Sequence, residues 1–245
     1  MTQLVNTAEA ADLLGVSEAS VRRWGDAGMF PMQRVGKRQD RRFQRADLEA
    51  FLAGGNQSAA RPSSDAVTVA GADVRAGTHV ATFYASAAGR LRTAVPFLRD
   101  GLKAGQPCFL VASDDLLEDY LKALEAEVGT AVEGAIKSGQ LLIVPAPGAT
   151  VEEALAFWED GVPAATSKFS ARVARAVGDM TSEKKVFHTV KQMLTYEQFF
   201  SVLARRLASV TICQYDVREF DGPSLLEAMK AHPDGFQMGM GRLVG

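Results

Sequence analysis

From Thr7 to Leu52 apolar residues return at helical spacing, with small polar residues at the expected starts. Thr7 is placed to cap a helix carrying Ala11, Leu13 and Leu14; Gly15 ends it, and Ser17 caps a second helix carrying Val21 and Trp24. That spacing predicts a helix-turn-helix. After Gly28 the helical period breaks, and QRVGKRQDRRF offers two short extended arms around a polar turn, a wing, before Leu48, Phe51 and Leu52 resume it. The segment from Gly54 to Gly77, GGNQSAARPSSDAVTVAGADVRAG, is rich in Gly, Ala, Ser and Pro and lacks large side chains to bury, which predicts a flexible linker. Beyond it, strand-like apolar runs (HVATFY, PCFLVA, LLIVP, SARVARAVGDM, SVTICQYD) alternate with helical stretches that keep one face apolar. Examples are Leu91, Val95, Leu98 and Leu102, or Tyr196, Phe199, Phe200, Leu203 and Leu207. This is the pattern of a mainly parallel sheet covered on both faces. A final GFQMGMGRLVG offers an edge strand. The predicted division is residues 1–53 as a winged helix-turn-helix, 54–77 as linker and 78–245 as an α/β domain.

Charge sharpens the reading of the first segment. The 245-residue chain is formally −2, so charge over the whole chain gives no argument for nucleic acid. Locally, Arg22, Arg23, Arg34, Lys37, Arg38, Arg41, Arg42 and Arg45 are opposed only by Asp26 and Asp40, eight positive against two negative, or +6. They fall on the second helix and the wing, the two elements that contact DNA in winged folds, where such an excess attracts a phosphate backbone.

The segment NTAEAADLLGVSEASVRRWGDAGMFP resembles the start of MerR-type and excisionase-type DNA-binding domains: a helix, a Gly-Val-Ser turn, then a helix ending in Arg-Arg-Trp followed by glycine. The resemblance covers roughly the first 53 residues. It implies that Ser20, Arg22 and Arg23 lie near bases or phosphates of double-stranded operator DNA and that Arg38, Arg41 and Arg42 serve the wing. Trp24 is read as a core residue. Many MerR regulators continue into a long dimerisation helix; the linker here implies that a homodimer forms through the second domain.

In that domain the turn after the first strand, FYASAAGRLRTAV, contains neither a G-x-x-x-x-G-K-[ST] nor a G-x-G-x-x-G phosphate loop. No nucleophile elbow is visible, and His79, His188 and His232 are scattered without metal spacing. No catalytic residue, cofactor or metal is assigned. His79, Phe83 and Tyr84, then Gly178, Asp179 and Met180, then Cys213, Tyr215 and Asp216 gather at strand ends, where open α/β sheets bind ligands. The competing reading is that Tyr84 and Tyr215 cap the core and the aspartates cap following helices.

The same residues carry a second resemblance. T-H-V-A-T-F-Y, V-P-F-L-R-D-G-L-K-A-G-Q-P-C, G-D-M-T, L-T-Y-E, I-C-Q-Y-D and a later A-H-P are similar to the MEDS sensory domain through most of residues 78 to 234. The resemblance implies a RecA-like α/β sandwich with a mainly parallel central sheet that has lost its P-loop, sensing small organic molecules, including hydrocarbon derivatives. Ser182 departs from it, standing where an aromatic is expected. The expectation is a cytoplasmic one-component transcriptional regulator, not an enzyme and not membrane-bound. Its ligand contacts are His79, Phe83, Tyr84, Asp179, Met180, Cys213, Tyr215 and Asp216. The alternatives are an enzyme on a RecA-like scaffold, a protein-recruiting module, or a metal or redox sensor using His79 and Cys213. Against a redox role, an apolar strand raises a thiol pKa and shields it.

Overall fold

The computed structural model describes residues 3–14, 18–26, 30–36, 39–52 and 67–237. The chain divides into two compact units, 1–61 and 62–245.

The first unit holds β1 (Leu4–Val5), α1 (Thr7–Leu14), α2 (Glu18–Asp26), β2 (Met32–Val35), β3 (Asp40–Gln44) and α3 (Arg45–Leu52). Asn6, rather than Thr7, caps α1. Its Oδ1 accepts from the Glu9 amide at 2.9 Å and Glu9 Oε2 accepts from the Asn6 amide at 2.8 Å, so the Asn-Thr-Ala-Glu order closes a reciprocal capping box one residue earlier than expected. Ser17 lies outside the described residues. The wing is the antiparallel pair β2 and β3, in register from Met32 with Phe43 to Val35 with Asp40. β1 adds to β3 to give the order β1-β3-β2; two residues carry no period, so the sequence gives no sign of it. The core is aromatic: Phe30 meets Phe43 at 5.4 Å and Phe51 at 5.1 Å, and Trp24, buried as expected, lies 5.9 Å from Phe51.

The second unit opens on a hairpin, β4 (Val67–Val69) and β5 (Ala72–Val74), within the stretch expected to be a flexible linker. Ala70 and Gly71 have φ of 47° and 76°, the positive pair that a two-residue turn matching strand twist requires. Val67, Val69 and Val74 are buried in the same core as Val80, Leu98 and Leu110. Val67 and Val69, two residues apart on β4, and Val74, opposite Val67 on β5, replace the large side chains whose absence suggests a linker. Then follow β6 (His79–Tyr84), α4 (Ala87–Lys103), β7 (Cys108–Val111), α5 (Asp114–Val128), α6 (Ala131–Ser138), β8 (Leu141–Val144), α7 (Val151–Lys168), β9 (Ala174–Asp179), α8 (Met180–Val186), α9 (Val190–Ala204), β10 (Ser209–Asp216), α10 (Gly222–Ala231) and α11 (Asp234–Gln237). The expected terminal edge strand is not formed at Gly235–Gln237, which is helical; 238–245 lie outside the described residues.

Strands β6 to β10 form one fully parallel sheet in the order β6-β10-β9-β7-β8. Crossovers through α4, α5 and α6 run one way along the sheet and cover one face; those through α7, α8 and α9 run back and cover the other. One handedness of crossover requires this segregation. The direction reverses between β7 and β9, which makes their carboxyl ends the topological switch point. There Ser182 Oγ accepts from the Ser113 amide at 2.9 Å and lies 2.9 Å from Ser113 Oγ. The position where an aromatic is expected is thus a buried serine pinning α8 to the end of β7.

Candidate functional site

In the first unit Arg22 is exposed on α2 and paired with Glu18 one turn earlier. Arg41 donates to Asp26 Oδ2 at 2.6 Å, and Arg34 reaches Asp26 Oδ1 at 3.2 Å. The Arg41 hydrogen bond, with the charges of Arg41 and Arg34, holds the Asp26 carboxyl below its usual range. Arg41 therefore ties the wing to the end of α2, while Arg42 NH1 donates to the Arg41 carbonyl at 3.1 Å. Arg38 lies outside the described residues, as do the side chains of Ser20 and Arg23.

In the second unit the sheet divides the seven predicted ligand contacts that stand on strands into two groups, because neighbouring residues on a strand point to opposite faces, while the eighth, Met180, begins α8. Tyr84 and Asp179 meet on the α4 and α5 face. Asp179 Oδ2 lies 3.0 Å from the hydroxyls of both Tyr84 and Tyr120, and Asp179 Oδ1 accepts from the Thr181 amide at 3.0 Å. The Tyr120 hydroxyl also lies 2.8 Å from Gln214 Oε1; Gln214 Nε2 donates to the Arg90 carbonyl, and the Arg90 guanidinium stands 5.0 Å over the Tyr120 ring. Burial pushes the Asp179 carboxyl above its usual range, against the lowering pull of the tyrosine hydroxyls. Asp216, at the end of β10, chelates Arg218. Asp179 does cap α8, as the competing reading has it.

On the α9 face stand His79, Phe83, Cys213 and Tyr215. Phe83 stacks on Tyr215 at 5.7 Å. The centre of this group is Glu197 of α9, buried at 1% exposure. Its Oε2 accepts from the Tyr215 hydroxyl at 3.0 Å and lies 3.6 Å from His79 Nε2 and 2.9 Å from His232 Nε2; its Oε1 is 3.7 Å from Cys213 Sγ. His79 Nε2 lies 3.1 Å from Cys213 Sγ, and the two imidazole rings are 4.0 Å apart. Burial pushes the Cys213 thiol and the Tyr215 phenol well up, the charge of Glu197 adding to both; burial, with His232 beside it, drives His79 well down. The ring is thus neutral and the thiol protonated at neutral pH. Met180 and Glu183 are buried in α8. Burial, with Glu197 and Asp179 nearby, pushes the Glu183 carboxyl well up. His79 Nδ1 and Glu183 Oε2 are buried polar atoms without a hydrogen-bond partner, and His232 Nε2 is unaligned for a hydrogen bond despite its short distance to Glu197.

His79, at the amino end of β6, and Cys213, in the middle of β10, are not strand-end residues in the sense expected; Tyr84, Asp179 and Asp216 are. Two of the three histidines that lack metal spacing in sequence are brought together: His79 and His232 meet, through the contact of α11 with β6 and the hydrogen bond of the His79 amide to Asp234. Glu197, Tyr120, Arg90 and Glu183 carry no site signal in the sequence, where His232 stands only as one of the scattered histidines. Glu197 and His232 nevertheless stand in the L-T-Y-E and A-H-P pieces on which the second resemblance rests.

Residues 78–233 match the family model described as MEDS, MEthanogen/methylotroph, DcmR Sensory domain, and residues 4–56 match a helix-turn-helix domain model. The chain is 40% identical over 246 residues to the transcriptional repressor DcmR of Methylorubrum extorquens, covering 96% of this chain and 92% of that protein. Among solved structures, the flagellar accessory protein FlaH from Methanocaldococcus jannaschii is similar with a TM-score of 0.46 and 11% identity, over 66% of this chain and 71% of that one. A KaiC-like protein from Pyrococcus horikoshii has a TM-score of 0.42 and 17% identity, over 58% and 62%. Among the described residues no helix is long and apolar enough to cross a membrane.

Proposed function

The chain belongs to the MEDS family and carries a helix-turn-helix domain ahead of its sensory domain; from that premise we propose that it is a one-component transcriptional repressor whose operator affinity is set by a small organic molecule. Residues 1–53 hold the operator, with Ser20, Arg22 and Arg23 of α2 at the major groove and Arg38, Arg41 and Arg42 of the wing at the backbone. The observation that carries the DNA half is the concentration of arginine on these two elements of a chain that is −2 overall.

Two heads are needed for a two-fold operator, and the sensory domain pairs them in a homodimer. The molecule sensed is a short hydrocarbon derivative with one polar end. On the α9 face the rings of Phe83 and Tyr215 and the thioether of Met180 supply packing. His79 and Cys213 supply the polar end, where His79 Nδ1 and Glu183 Oε2 have no hydrogen-bond partner. A buried polar atom left unpaired carries a desolvation cost that a ligand heteroatom removes. Tyr84, Asp179 and Asp216, across the sheet, adjust to occupancy through the strands they end.

Fluorescence anisotropy with DNA from the promoter region of the chain's own gene tests this, with a panel of short alcohols, haloalkanes and ketones as candidate ligands. The active compound lowers operator affinity about 10-fold to 100-fold, a coupling of roughly 1.4 to 2.8 kcal/mol. His79→Ala and Tyr215→Ala lose that response and keep the affinity of the unliganded protein. A parent-like response in both variants refutes the placement of the ligand, and absence of operator binding refutes the reading as a whole.

A further inference from the structure

His79, Glu197, Cys213 and His232 bring two imidazole nitrogens, one sulfur and one carboxylate oxygen within 4.8 Å of one another, and all four side chains are buried. The residues come from β6, α9, β10 and the turn after α10, so the cluster exists only in the folded domain.

Its proton inventory is short by one positive charge. His232 Nδ1 lies 2.7 Å from the Ala228 carbonyl; a carbonyl only accepts, so Nδ1 holds the ring proton and Nε2 of the neutral ring is a lone pair. That lone pair is 2.9 Å from Glu197 Oε2, which already accepts from Tyr215. Two acceptors at that distance repel unless a proton or a metal ion lies at them. His79 Nε2 and Cys213 Sγ face the same carboxylate from the other side, at 3.6 and 3.7 Å.

We propose that these four side chains form a transition-metal site of the zinc class. Nitrogen, thiolate and carboxylate donors suit that borderline ion, and a tetrahedron with metal–nitrogen bonds of about 2.0 Å and a metal–sulfur bond of about 2.3 Å has edges of about 3.3 to 3.6 Å. Three of the observed separations, 2.9 Å for His232 with Glu197, 3.1 Å for His79 with Cys213 and 3.6 Å for His79 with Glu197, lie within a few tenths of an ångström of those edges, and the widest pair, within 4.8 Å, closes by about an ångström as the ion binds. The charge also closes: a divalent ion with one thiolate and one carboxylate is neutral, the condition for burial in a shell that includes Phe200, 4.8 Å from the His79 ring. The outer partners are present, since the Ala228 carbonyl fixes the His232 tautomer and the Tyr215 hydroxyl fixes Glu197. As the ion enters, Cys213 gives up its thiol proton to bulk water; binding therefore tightens as pH rises.

The inference deepens the sensory reading, since the metal would form the polar end of that site, but the test uses metal alone. The full chain is stripped with a chelator, dialysed, and loaded with Zn²⁺, or with Co²⁺ as a spectroscopic stand-in; bound metal is counted by mass spectrometry and folding is followed by circular dichroism. The expected result is about one ion per chain, a thiolate-to-cobalt charge-transfer band, and the intense visible bands of a tetrahedral centre. Cys213→Ser removes the charge-transfer band, and His232→Gln weakens binding by at least about 10-fold to 100-fold, since loss of a direct ligand costs no less than loss of an outer partner. Failure of the folded parent to bind metal, or a band that survives in Cys213→Ser and so belongs to Cys108, overturns the proposal. If Cys213→Ser does not fold, the cobalt spectrum of the parent decides alone, by the presence or absence of the thiolate band. A folded parent that binds no metal while its operator binding responds to the organic panel refutes the metal and leaves the sensory reading standing. A protein that binds one ion through Cys213 and responds to no compound supports the metal and refutes the organic ligand.

Discussion

Replacing Val69 by alanine tests whether the hairpin ahead of β6 belongs to the core of the second unit. Val69 is fully buried and Val67 is 1% exposed, in the cluster that also holds Val80, Ala94 and Leu98. Valine to alanine deletes two methyl groups. At about 0.8 kcal/mol per buried carbon the transfer loss is roughly 1.6 kcal/mol, and the unfilled space raises it to about 2 to 2.5 kcal/mol. The control is Thr68→Ala on the exposed side, which removes one hydrogen bond to Asp73 at 2.9 Å and costs about 0.5 kcal/mol or less in the solvent-facing position. Urea unfolding of the full chain, followed by near-ultraviolet circular dichroism of the tryptophans and tyrosines, gives both values. Trp158 and all four tyrosines, Tyr84, Tyr120, Tyr196 and Tyr215, are buried in the second unit. A Val69→Ala loss below about 0.5 kcal/mol, equal to that of Thr68→Ala, means that the hairpin does not pack on the core and that the linker extends to Gly77 after all.

Arg22→Ala weakens specific operator binding by about 1 to 3 kcal/mol if that side chain reaches a base edge, whereas Arg42→Ala weakens binding to all sequences and lowers the salt slope by about one; gel-shift titrations at several salt concentrations separate the two, and parent-like behaviour of both variants refutes the assignment. Asp179→Asn gains stability relative to the parent as pH rises. The burial-raised carboxyl contributes stability below the unfolded value of 3.8, and the parent loses it on the way up to the folded value, with a difference in slope of at most about 1.4 kcal/mol per pH unit; parallel stability–pH curves for parent and variant contradict the buried-acid account. Light scattering of the full chain gives twice the chain mass, and a monomer at micromolar concentration counts against pairing through the sensory domain.

Much of the second unit was legible because parallel strands buried on both faces leave continuous apolar runs, and all five expected runs became strands of one sheet. The hairpin was not, because Val67, Val69 and Val74 are small and a turn at Ala70–Gly71 looks like linker composition. Nor was β1, whose two residues have no period to detect. The division of the candidate ligand contacts between two faces was available from period two alone: Asp216 is one residue from Tyr215, so the two cannot line one side of a strand. Glu197 was hidden for the opposite reason. It stands among Tyr196, Phe199 and Phe200 on a helix whose buried face looks apolar, and only the fold brings it against His79, Cys213 and His232 from distant parts of the chain.

Gln214 and Tyr215 are consecutive on β10, yet one holds the Arg90 carbonyl and the Tyr120 hydroxyl on one side of the sheet while the other holds Glu197 on the opposite side. β10 is laddered to β6 and to β9, so the backbone that carries both side chains is held by two rows of hydrogen bonds. Any shift of the strand at Tyr215 would therefore move the backbone of Gln214 with it, so the hydrogen-bond networks on the two faces of the sheet share one mechanical link, the peptide bond between these residues.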